Sequence, residues 1–409
     1  MAIIRYTGNA IPVAQVDTFT PANCNEDDIF YLTVTGLDGS VAQVSFTCGS
    51  TETVAAVCAG LVAAWNASTN ALCTGITAAN NTTNITLTAD TPGDAFSVAS
   101  SIYDGGGGSA PTLTRAATTA NAGPKNWADD DNWSGGSVPG GAASQDVYVD
   151  GATLLYGLDQ SGIANTLDSL DVSRTQIGNN PISGILPTYL QIKASEIVVD
   201  AYDGPGTPVP KVPINIDSGS TASEVTVYNS GTNGTNPAIR LKADSASTNV
   251  TIYKGRVGIA YLPGETSTFG TIAAYYGSDV NNDVKLTIGS GVTLTTYLQT
   301  GGDNELICGC TTATITGGAL TTEGSGTITT LNADGGTITA NSTGTITNLN
   351  VQPESGRFVT VDFTGSAEAR TVTNCALDPG GTLKYDPAVI TFTNYIISSK
   401  RVKYVATAA

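Results

Sequence analysis

The sequence predicts a mainly β protein in which a small N-terminal α+β domain of ββαββ order precedes a parallel β-solenoid, or β-helix. Glycine accounts for 47 of the 409 residues, and Thr, Ser, Asn and Val are also frequent, a composition typical of short strands and tight turns. Charged residues make up 13% and hydrophobic residues 40%, a balance that indicates a folded chain. In the second half, whole sequence units recur, as they do in the successive coils of a solenoid.

The N-terminal domain is predicted at residues 23–120. Residues 30–35 and 41–46 alternate apolar and polar side chains around the turn residues 37–40, which predicts a β-hairpin. A helix is expected to start at Ser50 and Thr51, with Glu52 in its first turn. Its apolar face consists of Val54, Val57, Cys58, Leu61, Val62 and Trp65.

The rest of this domain follows the same alternation. A second hairpin is predicted from residues 75–78 and 84–89, and a further strand from residues 95–98. The glycines 105–108 indicate a flexible turn or linker near the end of the domain. Residues 1–22 show no clean periodicity, so we expect them to form an extended arm.

Residues 121–150 form a Trp-containing junction or cap. Trp127 and Trp133 are expected to plug the end of the domain that follows, because aromatic rings cover exposed strand edges and apolar ends efficiently. Asp129, Asp130 and Asp131 suggest calcium, but consecutive carboxylates do not match the alternating pattern of a calcium loop. A solvated loop is the favoured interpretation.

The β-solenoid is predicted at residues 151–390. The unit Ile328-Thr-Thr-Leu331-Asn332 recurs 18 residues later as Ile346-Thr-Asn-Leu349-Asn350. The Ile and Leu positions are predicted core, and Asn332 and Asn350 are expected in equivalent turns. Looser echoes of one strand position begin at 195, 223, 248 and 282.

An antiparallel sandwich or barrel is the competing architecture, since its strands also recur at short intervals. The recurrence of whole units in register favours the solenoid. Residues 391–409 are predicted to form C-terminal strands or a tail that caps the stack or engages a neighbour.

The charge balance excludes several classes of partner. Asp and Glu number 35 against 17 Lys and Arg, a net charge of −18, and such a chain repels a phosphate backbone. Lys400, Arg401 and Lys403 form a basic cluster too small to reverse this, so no nucleic-acid partner is expected. The sequence also shows no bilayer-length apolar run and no secretory signal, so we expect no membrane association.

The absence of histidine removes the usual general base, the commonest transition-metal ligand and any Ser-His-Asp or Cys-His pair. The seven cysteines include no C-x-x-C pair, so no zinc ribbon is indicated. Buried reduced thiols are the favoured interpretation, with a disulfide among Cys24, Cys48, Cys58 and Cys73 as the alternative.

Chemistry in the coils was sought among paired carboxylates and nearby cations, which glycoside hydrolysis or elimination would need. The candidates are Asp200, Asp203, Asp217, Asp279, Asp283, Glu305, Lys285, Arg240 and Arg256. Their spacing singles out no pair, so we predict no enzyme and no catalytic, cofactor-binding or metal site. Tyrosines that suggest either strand packing or a glycan or protein contact are Tyr253, Tyr261, Tyr275, Tyr276 and Tyr297.

Several segments resemble tailed-bacteriophage and prophage virion structural proteins. They are 5-RYTGNAIPVAQVDTFT-20, 60-GLVAAWNAS-68, 86-TLTADTPGDAFSV-98, 119-TANAGPKNWADDDNWSGGSVP-139, 153-TLLYGLDQSGIANTLDSLDV-172 and 187-PTYLQI-192. The similarity covers the first half best and carries no site motif. It implies a virion component with a β-helical body, of the decoration or fibre type, and commonly a homotrimer.

These observations together predict a non-enzymatic phage virion structural protein, assembled in the host cytoplasm. The first expectation is a capsid decoration or cement protein that contacts the major capsid protein or other virion proteins. The alternative is a receptor-binding tail or head fibre, or a tailspike, that binds or cleaves host surface glycans. A bacterial surface adhesin is a third possibility, for which an export signal or anchor would be needed.

Overall fold

The computed structural model describes residues 2–36, 40–150, 154–173, 188–200, 214–230, 237–275, 284–354, 356–365, 368–397 and 403–406. Within them, most of the chain from residue 145 onward is arranged in two long parallel sheets.

The first solenoid sheet consists of thirteen described strands. In spatial order they are β1 (Ala2–Arg5), β9 (Gln145–Asp150), β10 (Leu167–Ser173), β12 (Ala194–Asp200), β14 (Glu224–Asn229), β16 (Asn249–Ile252), β18 (Ser267–Ala274), β20 (Val292–Gln299), β22 (Cys310–Ile315), β24 (Ile328–Ala333), β26 (Ile346–Val351), β28 (Arg370–Leu377) and β30 (Ile390–Ile397).

The second solenoid sheet consists of eleven described strands. In spatial order they are β11 (Leu190–Gln191), β13 (Ile214–Asp217), β15 (Ile239–Lys242), β17 (Gly255–Ile259), β19 (Val284–Ile288), β21 (Asp303–Leu306), β23 (Ala319–Thr322), β25 (Gly336–Ala340), β27 (Val359–Asp362), β29 (Gly381–Tyr385) and β31 (Lys403–Ala406).

From β10 onward, successive strands alternate between the two sheets, and neighbouring strands within each sheet are parallel. Each coil therefore contributes one strand to each sheet. The local reason is the burial pattern: in β24, Ile328, Leu331 and Ala333 are buried while Thr329 is exposed. Inward side chains from all the coils form one continuous hydrophobic cluster. The predicted parallel β-solenoid is confirmed.

The short repeat has the predicted register, since Ile328 pairs with Ile346 and Leu331 with Leu349. The expectation that Asn332 and Asn350 lie in turns is wrong. Both lie within strands, β24 and β26, on the face that points away from the core. There the Asn350 side chain donates a hydrogen bond of 2.9 Å to the Asn332 amide oxygen, a bond that only in-register strands permit.

The prediction that the four looser repeats occupy one strand position is partly correct. Residues of β12, β14 and β16 stack in one column, with Glu196 beside Glu224 and Glu224 beside Asn249. The fourth echo, at 282, does not join them: its described part is β19, in the second sheet, and the column continues at Thr271. Strands of both sheets share the same alternation, so their sequences do not distinguish the two sheets.

The N-terminal region consists of two antiparallel sheets and two helices. One sheet has the order β5 (Ile76–Asn80), β6 (Ile85–Ala89), β2 (Val16–Ala22) and β8 (Thr112–Thr119); the other has β4 (Val41–Thr47), β3 (Ile29–Thr35) and β7 (Ser97–Tyr103). The helices are α1 (Val54–Asn66) and α2 (Ala71–Thr74). Both predicted hairpins are present, as β3 with β4 and β5 with β6, although turn residues 37–39 lie outside the described residues.

Helix α1 begins later than predicted. The Thr53 hydroxyl accepts a 3.3 Å hydrogen bond from the Ala56 amide and caps the helix, which leaves Glu52 outside the first turn. Val57, Cys58, Leu61 and Trp65 are buried in the core of this domain. The predicted apolar face therefore packs on the sheets.

The arm differs from its prediction, whereas the predicted C-terminal strands are present. Residues 1–22 contain β1, which pairs in parallel with β9 of the solenoid, and β2, which lies between β6 and β8. The glycines 105–108 are a turn within the domain, where the Gly105 amide donates a 2.9 Å hydrogen bond to the buried Asp28 carboxylate. At the other end, β30 and β31 continue the two solenoid sheets in register.

The junction holds a Trp plug. Trp127 and Trp133 are buried in the same cluster as the inward residues of the coils, with ring centroids 4.7 Å apart, and Tyr6 packs edge-on to Trp133 at 5.4 Å. At this end the Ser134 amide also donates a 2.9 Å hydrogen bond to the Arg5 carbonyl, and the Arg5 amide donates one of 2.9 Å to the Ser134 hydroxyl. These contacts cover the first coils.

Two of the cysteines form a disulfide, and the other five are reduced thiols. Cys24 and Cys48 form a disulfide with Cα atoms 6.2 Å apart, so the favoured interpretation of reduced thiols is wrong for this pair. The pair joins the segment after β2 to the end of β4, which a local spacing rule does not reveal. Cys58, Cys73, Cys308, Cys310 and Cys375 are buried free thiols, as expected. Burial raises the pKa of Cys308, Cys310 and Cys375 to about 12, so these thiols are unreactive.

Candidate functional site

Among the described candidate catalytic residues, Arg256 and Lys285 are neighbours on β17 and β19, but the carboxylates do not come together. Asp200 is exposed at the end of β12 in the first sheet, whereas Asp217 and Glu305 lie on β13 and β21 of the second sheet. Asp203, Asp279 and Asp283 lie outside the described residues. Among the described residues, no group of three or more acidic or Cys side chains could hold a metal ion.

The charged residues of the second sheet form ordinary contacts. The Lys242 ammonium lies 3.8 Å from Asp217, and the Lys285 ammonium lies 4.0 Å from Asp303. The Glu305 carboxylate accepts a 3.4 Å hydrogen bond from Thr287. Partly exposed pairs of this kind contribute little to stability.

Two of the three consecutive aspartates of the junction, Asp129 and Asp130, organise its turn with their carboxylates. Asp129 accepts hydrogen bonds from the amides of Gly123 at 3.2 Å and Asp131 at 3.3 Å, and Asp130 accepts one from Val138 at 2.7 Å. Because these carboxylates already bind backbone amides, the local geometry favours a structural turn over a calcium loop.

Three tyrosines form a stacked row on the first sheet, which we call the tyrosine ladder: Tyr228, Tyr253 and Tyr275. The ring centroids of Tyr228 and Tyr253 are 5.5 Å apart with an 8° angle between planes. Those of Tyr253 and Tyr275 are 5.8 Å apart at 24°. Tyr228 is 53% exposed and Tyr253 40%, so the ladder presents aromatic surface to solvent.

The register of the strands positions the ladder. Val227 of β14 pairs with Ile252 of β16, and Ile252 pairs with Ala274 of β18. The residue that follows each of these three paired residues is a ladder tyrosine, so the three rings lie in line. The sequence signal was present in Val225-Thr-Val-Tyr228 and Val250-Thr-Ile-Tyr253, but Tyr228 was missed because the two units were aligned without extending them by one residue.

The other candidate tyrosines have different surroundings. Tyr297 is buried in the core, where its hydroxyl donates a 2.8 Å hydrogen bond to Gln299, so it is a packing residue. Tyr261 lies against the Arg240 guanidinium, 5.6 Å from ring centroid to carbon. Tyr276 lies outside the described residues.

A buried polar cluster lies on the second sheet around Arg240. Arg240 is 6% exposed, and within the described part of the chain its Nε and Nη1 atoms have no hydrogen-bond partner. Asn215 is its lateral neighbour on β13, and the Asn215 amide oxygen is also buried and unpaired. The neighbour on the other side is Gly258, where a Cβ atom would come within 2.8 Å of Tyr261, so glycine leaves room for the covering ring.

Tyr189 belongs to the same cluster. The ring is 5% exposed, and the Lys242 ammonium lies 5.3 Å from its centroid. Burial, and then the Glu265 carboxylate, raise the pKa of its hydroxyl well above the ordinary value. The hydroxyl therefore remains protonated at neutral pH and can donate a hydrogen bond.

The described residues line two larger cavities, one at the second solenoid sheet and one at the N-terminal domain. One, of about 340 Å³, lies where β11, β13 and β15 end and is lined mainly by polar residues, among them Lys193, Asp217 and Asp244. The other, of about 430 Å³, lies between the N-terminal domain and the junction and is lined by Ile76 and Phe96. The 2.6 Å ion pair of Lys125 and Asp94 also lines it and links the two parts.

No helix of the described residues has both the length and the apolar character needed to cross a bilayer. Comparisons with protein-family models, with curated proteins and with solved structures find no match for this chain.

Proposed function

We propose that this protein is a non-enzymatic structural component of a phage virion, and that it decorates the capsid shell. The observation that carries the proposal is the solenoid itself, whose strands are hydrogen-bonded along the whole stack and whose outward polar side chains also pair from coil to coil. A body of this kind is suited to a particle that must persist outside a host. The resemblance of the first half to virion structural proteins supports the same proposal.

In this proposal the N-terminal domain contacts the major capsid protein and the solenoid projects from the shell. The Trp plug and the Lys125–Asp94 pair would transmit the attachment to the coils. The net charge of −18 disfavours packaging with the genome. Assembly in the host cytoplasm and a homotrimeric state belong to the same proposal.

Quantitative mass spectrometry of purified particles tests the proposal. We expect the protein to be present in a copy number comparable to that of the major capsid protein, and cryo-electron microscopy to place it against the shell. Particles lacking it should release their genome at a lower temperature. Absence from purified particles, or copies that do not contact the shell, would contradict the proposal.

A receptor-binding fibre or tailspike is the second candidate function. The exposed tyrosine ladder favours it, because exposed aromatic rings are typical of recognition surfaces. A copy number far below that of the major capsid protein would favour the fibre. Release of reducing ends from host polysaccharide would show that it also cleaves glycans.

A further inference from the structure

The tyrosine ladder differs from the other exposed aromatic side chains of the described chain. Tyr103 and Phe358 are exposed at 59% and 81% without a described ring contact, and Tyr395, at 37%, meets the Phe392 ring in a tilted arrangement. Tyr228 and Tyr253 are exposed within an ordered parallel stack. A single exposed aromatic residue needs no explanation, but a row of aligned rings is a preorganised apolar surface.

A β-bulge at Tyr228 determines what the ladder presents. Val199 pairs with Val227 and Asp200 pairs with Asn229, so Tyr228 is an extra residue with no lateral partner on β12. Bulges of this kind redirect a side chain. Tyr253 has a ring on each side, whereas Tyr228 has a described ring partner on one side only and is the more exposed of the two, at 53% against 40%.

Polar groups border the ladder along the same row of strand positions. At one end, Asp200 is exposed beside the bulge. At the other end, Gln299 pairs with Ala274, so Thr300, which follows Gln299 and is exposed, lies next to Tyr275 in the row. The surface area that three rings offer is small compared with the roughly 800 Å² that each partner buries in a stable protein interface. The patch therefore suits a small ring-shaped ligand better than a second copy of the chain.

The charge of the chain narrows the ligand further. With Asp200 beside Tyr228 and a net charge of −18, an anionic ligand would be repelled. A sugar ring has an apolar face of C–H groups that can stack on an aromatic ring, and hydroxyls that can donate to a carboxylate. A neutral sugar carries no negative charge to be repelled, and it offers both an apolar face for Tyr228 and hydroxyl donors for Asp200.

We propose that the tyrosine ladder binds a neutral glycan, with one pyranose ring stacked on the half-exposed ring of Tyr228 and its hydroxyls donating hydrogen bonds to the Asp200 carboxylate. Further sugar units would follow the ladder edges toward Tyr253 and Tyr275. The site applies equally to a decoration protein and to a fibre. Its failure would be seen with the purified chain, whereas failure of the proposed function would be seen in purified particles.

Isothermal titration calorimetry of the full-length protein with cellohexaose, maltohexaose and xylohexaose tests the proposal. We expect at least one of these neutral oligosaccharides to bind and an oligogalacturonate not to bind. Tyr228→Ala should weaken binding by about tenfold or more, equivalent to about 1.4 kcal/mol. Tyr228→Phe keeps the ring face and should retain affinity, and Asp200→Asn should weaken it by less than Tyr228→Ala.

Tyr103→Ala is the matched control, because it removes an equally exposed tyrosine outside the ladder and should leave affinity unchanged. Melting curves will show that each variant is folded. The proposal is overturned if none of the three oligosaccharides binds, if only the acidic one binds, or if Tyr228→Ala binds like the wild type. A fall in oligomer mass on Tyr228→Ala, measured by light scattering, would also overturn it by assigning the ladder to contact between copies.

Discussion

Two parts of the solenoid use polar side chains differently. In the late coils, which we define as residues 310–385, they pair along the stack: Asn350 donates to Asn332, Asn332 donates to Thr314 at 3.2 Å, and each step is 18 residues. In the early coils, residues 167–275, hydrogen bonds that involve side chains of different coils join residues 22 to 29 positions apart. The same coils contain exposed tyrosines and buried polar atoms without described partners.

Two buried arginines show the contrast most directly. In the late coils, Arg370 is 5% exposed and its two terminal nitrogens donate to the carbonyls of Ser342 and Ala340. In the early coils, Arg240 is 6% exposed and two of its nitrogens have no described partner. The late coils also retain two buried polar atoms without a described partner, Arg370 Nε and Asn341 Oδ1, but the early coils retain five, on Tyr189, Asn215, Ser218 and Arg240. Departures from local satisfaction are expected where a protein has a function beyond folding.

The largest expected effect is on the core of the late coils. Leu331→Ala should lower the free energy of unfolding by about 3 kcal/mol, because Leu331 is fully buried between Ala313 and Leu349 and its removal leaves a cavity. Urea denaturation measures the change. Thr329→Ala, on the exposed side of the same strand, is the control and should change stability by less than about 0.5 kcal/mol. Equal losses would show that β24 does not face the core as described.

The two buried arginines should respond in opposite directions. Arg370→Met should destabilise the protein by about 2 kcal/mol, because two buried carbonyls lose their donors. Arg240→Met removes an unpaired buried cation and should leave stability unchanged or raise it by about 1 kcal/mol. Both are measured by urea denaturation at pH 7. A greater loss for Arg240→Met than for Arg370→Met would contradict the comparison.

A smaller effect is expected in the asparagine row. Asn350→Ala should cost about 1 kcal/mol, since it removes one partly exposed side-chain hydrogen bond to Asn332. The melting temperature should fall slightly without any change in glycan affinity. A loss as large as that of Leu331→Ala would mean that the row, rather than the apolar core, holds the late coils together.

The smallest effects concern pH. Burial alone would raise the pKa of Asp362 in the late coils, but hydrogen bonds from Thr364 and the Lys384 ammonium at 3.3 Å lower it below 3.8. Its ionised form therefore stabilises the fold above about pH 4, and this contribution is lost as the pH falls through the folded-state pKa. Asp362→Asn should reduce stability at pH 7, and the difference should disappear in acid.

Asp171 in the early coils should show the opposite sign. Burial, with Asp200 and Asp150 nearby, raises its pKa above 3.8 against the effects of Ser173 and Arg5. Its ionised form destabilises the fold, so Asp171→Asn should increase stability at pH 7. That gain should shrink as the pH falls through the raised pKa. Denaturation curves at several pH values would contradict the comparison if both variants changed in the same direction.

The sequence predicted what depends on periodicity. The Ile and Leu columns at 328, 331, 346 and 349 were placed correctly because inward side chains must match between stacked coils. Helix α1 and both hairpins were found for the same reason. The fourth echo was misplaced because both sheets alternate alike, and β1 was missed because a four-residue strand has too few residues to show a period.

The candidate site was less predictable. The sequence indicates either strand packing or a glycan or protein contact for Tyr253 and Tyr275, but their alignment with Tyr228 depends on the register of β14, β16 and β18. The bulge at Tyr228 is visible only in the pairing of β12 with β14. The Cys24–Cys48 disulfide likewise depends on how distant segments meet. The unpaired Arg240 could not be inferred, since its burial results from Tyr261 and Gly258 in other parts of the chain.

We expect the late coils to stabilise the molecule and the early coils to bind the glycan. Hydrogen–deuterium exchange of the full chain, with and without the oligosaccharide that binds most tightly, tests it most directly. The account predicts added protection in peptides that cover β14, β16 and β18, and no change in peptides that cover β22, β24 and β26. Protection confined to the late coils, or protection that persists in Tyr228→Ala, would contradict it.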